Sequence, residues 1–378
     1  MTSESSGNPT RGIFLFTHPR TASNLLLRIL NLEHQPAVFS PTPQDPSTMS
    51  GGREYGYFFL PTMGQRLELA TRPLDDWTEQ ESIQTKRCFQ ECSDDLMSYA
   101  EDAVKSGKLA FVKEHLYWMI SPFAERPEEG RHSGQDADWK VTIGERQARQ
   151  GGQELFQHNT GRKRTGSTGN PSVLPDDFFL SWTPTFLIRH PALVFPSLYR
   201  TSVDLEGQSA ARSNIDGIFR SEMTMRWLRV LWMWFTERYR EQQSTVDSAK
   251  AEPTGDRQQA EASRPIILDA DDIILEPEVV HRYCELTGLD PTRCRYEWPA
   301  ATAVEHAGMS FIEKRMKSSL LASKGIVREG KTAVGLDIEE ETKKWEDEFG
   351  GLEAGKIRRW VYDALPDYEF LRAARLRP

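Results

Sequence analysis

The amino-acid sequence predicts an α/β protein: a central parallel sheet flanked by helices, with long polar insertions. Two observations carry this reading. Four apolar runs, GIFLFTH (Gly12 to His18), KLAFVKEH (Lys108 to His115), PTFLIRH (Pro184 to His190) and PIILDADDII (from Pro265), alternate with stretches of helical period. The first run is unbroken rather than alternating, as in a strand covered on both faces. Such alternation marks a doubly wound sheet, whose ligands sit outside the carboxyl ends of its strands.

After the first strand, Leu25, Leu26, Leu27, Ile29 and Leu30 mark a helix. A stretch rich in Pro, Gly and Ser (Pro36 to Gly52) leads to the aromatic segment YGYFFL, Tyr55 to Leu60. Phe89, Leu96, Ala100 and Val104 give Glu81 to Lys105 a helical period that stops at Gly107. Pro191 opens the helix after the third strand, and Pro196 falls inside it, where a lost hydrogen bond predicts a kink. A Trp-rich helix is expected over Ser221 to Arg240, and another, EPEVVHRYCELTGL, from near Pro277. Residues 125–171 and 241–263 hold few apolar side chains and read as mobile insertions in one α/β domain spanning 1–378.

Composition narrows the function. The net charge of -9, with 47 basic and 56 acidic residues and no basic stripe, argues against a nucleic-acid scaffold. An anion site must therefore be built locally, from a few aimed donors. The four cysteines are too few and scattered for a disulfide framework; Cys88 and Cys92 share one helical face without further zinc ligands, so no metal is expected. The N-terminal MTSESSGNPTRG lacks the apolar core of a signal peptide, and Trp227 to Phe235 is too short to span a bilayer. The expectation is a soluble cytoplasmic protein without a membrane or nucleic-acid partner.

Three strand ends carry candidate chemistry. In THPRTASNLL the turn after the first strand places Arg20, Thr21, Ser23 and Asn24 beside a helix N-terminus, whose free N–H groups and dipole attract anions. No GK[ST] ends this turn, which excludes Walker A. A simple βα turn capped by Ser23 or Asn24 is the plain alternative. The second strand ends Lys113-Glu114-His115, and alternation puts Lys113 and His115 on one face. The third ends in Arg189, with Ser197 eight positions on. Each signal alone is weak, but a parallel sheet gathers the three ends into one crevice.

These residues resemble those of PAPS-dependent sulfotransferases. PRTASNLL resembles their 5′-phosphosulfate loop, Arg189 and Ser197 match their 3′-phosphate motif in type and spacing, and Lys113-Glu114-His115 is similar to their catalytic KTH tripeptide. PIILDADDIILEPE resembles the strand and helix that follow, Arg328-Glu329-Gly330 is a looser echo of an RKG phosphate clamp, and LPDYEFL recurs among such proteins. The resemblance implies a P-loop NTPase-like sulfotransferase fold and PAPS as cosubstrate, without a metal. It assigns donor binding to Arg20, Thr21, Ala22, Ser23, Asn24, Leu25, Arg189, Ser197, Arg328 and Gly330. It further implies transfer of a sulfuryl group to a hydroxyl of a small-molecule acceptor, with His115 as base and Lys113 and Arg20 stabilising the leaving oxygen. Ala22 stands where the family often has glycine, so its backbone must accept glycine-like angles, and Asn24 replaces a hydroxyl residue.

Three alternatives stand beside this reading: the same fold performing elimination or cyclisation, a P-loop small-molecule kinase, and a non-catalytic binding module. Asp269, Asp271 and Asp272 imitate a Walker B strand and are expected to be strand-end and capping acids. Trp227, Trp232, Trp234 and Phe235 are expected in the core, and His18 and His34 in structural roles. Tyr55, Tyr57, Phe58, Phe59 and Trp118 are candidates to line an acceptor pocket.

Overall fold

The four apolar runs are the four strands β1 (Gly12–Thr17), β2 (Ala110–His115), β3 (Thr183–Ile188) and β4 (Ile266–Asp269) of one parallel sheet, in the order β2-β1-β3-β4. This computed structural model describes residues 12–40, 55–126, 137–143, 169–247, 264–302 and 307–377. The helices that follow β1 are α1 (Ser23–Leu30), α2 (Thr62–Leu69) and α3 (Glu79–Lys105). Next come α4 (Asp176–Leu180), α5 (Pro191–Glu206), α6 (Gln208–Asp216), α7 (Ile218–Glu222) and α8 (Arg226–Asp247). After β4 lie α9 (Ala270–Leu275), α10 (Glu278–Thr287), α11 (Phe311–Met316), α12 (Ser318–Leu321), α13 (Ile338–Phe349) and α14 (Gly351–Ala373). No helix of the described residues is long and apolar enough to cross a membrane.

Both faces of the sheet are covered, which is why the strands are apolar throughout. Phe14 and Phe16 face one core with Phe179, Trp182, Phe186 and Phe235, while Ile13 and Leu15 face a second with Leu26, Ile29, Leu187 and Leu268. Phe14 stacks on Phe16 at 4.5 Å and meets Trp182 edge-on at 5.4 Å. At the start of β1 only glycine fits, because a Cβ on Gly12 would lie 1.9 Å from the Ala110 carbonyl oxygen.

Element ends follow local side-chain chemistry. Thr78 and Glu81 form a capping box that starts α3 two residues before the expected boundary. The Asp269 carboxylate accepts from the Asp271 amide, so β4 stops there and ADDIIL becomes helix α9, where the sequence reading had continued the strand. Pro196 lies inside α5 without ending it. It has no amide for the Ala192 carbonyl, and both residues line the central cavity. The Trp-rich helix begins later than expected and runs on to Asp247, into the first residues of the expected second insertion. Within the expected first insertion, residues 137–143 pack on the core: Trp139 and Val141 are buried, and the Val141 amide donates to Val173 at 2.9 Å. Residues 127–136, 144–168 and 248–263 of the two insertions lie outside the described residues. Trp227, Trp234 and Phe235 are core residues, with Trp232 packed against them.

Strand order locates the site. From β1 the chain crosses to β2 on one side, and from β3 it continues to β4 on the other. The helices after β1 and β3 therefore diverge, opening a crevice at the carboxyl ends of these two strands. Phe14→Ala, removing a fully buried ring in contact with the rings of Phe16, Phe179 and Trp182, should cost about 3–5 kcal/mol. The check is a fall in the urea midpoint with the slope unchanged.

Candidate active site

The turn after β1 is tied to itself and to a distant helix. Thr21 Oγ1 donates to the His18 carbonyl at 2.7 Å, and the His18 ring bridges the carbonyls of Pro19 and Glu222 at 2.7 and 2.8 Å. Two non-glycine residues in this turn are left-handed, Arg20 at φ 68 and Ala22 at φ 64. Ala22 is the N-cap of α1, and no side chain caps the helix. A left-handed turn running into an uncapped helix start leaves amides and a positive dipole end available to an anion.

The Arg20 side chain reaches across the crevice. Its Nε donates to Ser197 Oγ at 3.0 Å, and its Nη1 to the Met316 carbonyl at 3.2 Å. Arg189, from the end of β3, donates to the carbonyls of Arg20 at 3.1 Å and Lys331 at 2.8 Å. The first and third strand tips, expected to grip from two sides, are thus in direct contact. Arg20, Arg189 and Lys331 line one cavity of 1300 Å³. Burial lowers Arg20 to about 10, assisted by repulsion from Arg315 and Arg189. Lys331 is pushed down by burial and then by Arg189, Arg20 and Arg200. Burial also lowers Arg189, although Asp271 and Asp269 oppose the shift. Like charges gathered in this way favour an anion in the cavity.

On β2 the strand alternation holds. Lys113 and His115 line the cavity, while the Glu114 carboxylate turns away and accepts from the Phe58 amide. Lys113 Nζ donates to Asn24 Oδ1 at 2.9 Å and to the Tyr57 hydroxyl at 2.6 Å, and burial lowers it to about 7. Asn24, which replaces a hydroxyl residue, thereby serves as an acceptor for this ammonium. His115 Nδ1 lies 2.7 Å from Thr17 Oγ1, whose one proton goes to the Glu114 carbonyl at 3.0 Å. Nδ1 must then be the donor, which leaves Nε2 as the basic nitrogen. Burial, followed by the charge of Lys113, holds His115 well below 6.5. Tyr57 and Trp118 flank the imidazole at 5.2 and 4.6 Å.

Other expected residues divide between wall and scaffold. Ala22, Ser23, Asn24, Leu25, Ser197 and Gly330 line the cavity, with Tyr55, Tyr57 and Trp118. Thr21 is fully buried behind it, and Phe58 and Phe59 lie in the core. Arg328 is off the wall: its Nε donates to the Ile274 carbonyl at 3.2 Å, and the cation that faces the crevice is Lys331. Sequence reasoning centred the C-terminal clamp on Arg328-Glu329-Gly330 and so missed the adjoining lysine. It also missed Thr17, which fixes the imidazole tautomer; a hydroxyl at a strand end was the available signal. Among the described residues no group of three or more His, Cys, Asp or Glu could hold a metal.

Comparison with known proteins decides the family. The chain is 36% identical over 381 residues to a protein named sulfotransferase ppzF from Metarhizium majus (strain ARSEF 297), covering 99% of both. It is 36% identical over 375 residues to a protein of the same name from Metarhizium rileyi (strain RCEF 4871), covering 98% of this chain and 97% of that one. The chain belongs to the sulfotransferase family. No protein-family profile and no solved structure matches this sulfotransferase. The four-stranded parallel sheet flanked by helices agrees with the fold that the sequence resemblance implies.

Ala22 offers a test of the strained turn. A left-handed L-residue costs about 1–2 kcal/mol, more than the entropy glycine adds to the unfolded chain. Ala22→Gly should therefore stabilise the protein by up to about 1 kcal/mol, seen as a higher denaturation midpoint.

Proposed function

We propose that this protein transfers a sulfuryl group from PAPS to a hydroxyl of a small-molecule acceptor. One observation carries the reading: Arg189 donates to the Arg20 backbone at 3.1 Å, joining the β1 and β3 clamps in the cavity that also holds Lys113 and His115. The residues fit a donor that carries an anionic group at each of two positions. Arg20, Ser23 and Asn24 at the uncapped start of α1 form the PRxASN loop for the 5′-phosphosulfate. Arg189, Ser197, Gly330 and Lys331 hold the 3′-phosphate, and the buried, unpartnered Arg189 Nε supports that role. At 1300 Å³ the cavity exceeds the range of about 300–1000 Å³ usual for one drug-sized ligand, leaving room for an acceptor beside the donor.

When bound, PAPS supplies an activated sulfuryl group and 3′,5′-ADP as leaving group. His115 Nε2 takes the acceptor hydroxyl proton; burial keeps the imidazole neutral at physiological pH, so the lone pair is available. Lys113 and Arg20 face the charge that grows on the leaving oxygen. Of the two, Lys113, lowered to about 7, can also give up a proton, whereas the guanidinium stays charged. Tyr57 and Trp118 form the wall against which the acceptor is held.

Thermal-shift titration tests the donor class. PAPS and 3′,5′-ADP should stabilise the protein, by about 2.7 kcal/mol at a hundred times Kd, and 5′-AMP and ATP should do so far less. Preference for ATP would overturn the reading. His115→Ala should lower kcat by about 10² to 10⁴ with donor affinity kept, and Arg189→Ala should weaken donor binding instead. The pH profile follows from two depressed bases. As pH rises through about 7, free Lys113 loses its proton, so kcat/KM for the donor should fall. The acid limb, set by His115, should lie well below 6.5. Lys113→Arg should abolish the alkaline limb while leaving the acid one.

A further inference from the structure

Glu222, at the end of α7, is a carboxylate without an assigned task. It is only 5% exposed, lines the central cavity, and makes no hydrogen bond or ion pair through its carboxylate among the described residues. Its neighbours offset its charge only in part: the Arg66 guanidinium lies close enough to favour the ionised carboxylate, but makes no ion pair with it. Arg66, the nearest cation on α2, is already paired with Glu125 and with the Ile120 carbonyl. His18 meets the Glu222 backbone carbonyl rather than the side chain. Glu206, on the same cavity wall, adds a second negative charge while accepting from Ser202 at 2.9 Å and Asn214 at 2.6 Å.

The cavity is therefore polarised. Arg20, Arg189 and Lys331 lie close enough to repel one another, and so do Glu222 and Glu206; apolar Met63, Leu67 and Phe219 line the same cavity. A buried carboxylate without a partner is costly, and a ligand that supplies the missing positive charge relieves that cost. A neutral acceptor would leave it stranded.

We infer that the acceptor is a hydroxylated amine, and that Glu222 is the counter-ion for its protonated nitrogen. The inference rests on the sulfotransfer reading of the crevice and adds the acceptor's chemical class. Glu222 is a specificity residue: it grips the end of the acceptor remote from the reacting hydroxyl. Burial raises its carboxyl to about 7, although the charge of Arg66 opposes the shift. An ammonium would restore the charged form.

Binding of matched pairs tests this without requiring turnover. Tyramine is compared with 4-propylphenol, 3-hydroxybenzylamine with 3-ethylphenol, and 5-aminopentanol with hexan-1-ol, by calorimetry with and without 3′,5′-ADP. The amine of at least one pair should bind about ten- to a hundredfold more tightly than its neutral counterpart, as expected for a hydrogen bond to a charged group. Glu222→Gln, which keeps the shape and removes the charge, should erase the preference, and Glu222→Asp should keep part of it. A preference that survives in Glu222→Gln, or the absence of amine preference in all three pairs, would overturn the inference. Failure of 3′,5′-ADP to bind would instead strike the sulfotransfer reading, so the two are separable.

Discussion

Two guanidinium groups that repel each other, Arg20 and Arg189, are kept together by backbone carbonyls, and the rest of the site is arranged around that unfavourable meeting. Arg189 donates to the Arg20 carbonyl and Arg20 to Ser197, so each strand tip holds the other in place. The carboxylates that offset Arg189, Asp271 and Asp269, belong to the neighbouring β4 and α9. Gathering these like charges is a local conflict of the kind expected at a binding site rather than in a scaffold. Without β1 and β3 as parallel neighbours, these charges would have no reason to share a cavity.

On the second strand burial is the largest influence on two titratable groups. Lys113 and His115 lie two positions apart on one face, and desolvation depresses both. For the imidazole this produces a free base at neutral pH; for the ammonium it produces a proton that can be lost. Tyr57 completes the arrangement, with Lys113 Nζ 4.0 Å from its ring centroid. The segment that carries it is pinned at Gly56, where a Cβ would lie 1.8 Å from the Lys113 carbonyl oxygen. Aromatic wall and second strand therefore meet backbone to backbone at this point.

Much of this was legible in the sequence, because strand pattern and strand-end chemistry are local. Arg20, Lys113, His115, Arg189 and Ser197 could be read from type and spacing, and topology alone brings them together. Less legible were features set by contacts between distant segments. Arg328 and Lys331 differ in the sequence by three positions, and only the path of the chain after α12 decides which faces inward. The end of β4 depended on one side chain, Asp269, choosing to cap a helix. Trp139 and Val141 were isolated apolar residues in a polar stretch, too sparse for a periodic signal, yet both are buried. Glu222 gave no local sign at all, since its isolation exists only where α7 meets the cavity.

The seal on β4 comes from far along the chain. Tyr368 Oη donates to Asp269 at 2.9 Å across a separation of 99 residues, and the Leu376 amide donates to Ile267 at 2.8 Å beside it. During synthesis, the open edge of the sheet and the acid that caps α9 thus wait for helix α14 to emerge. Until then a nascent chain carries the four described strands without this closure at β4.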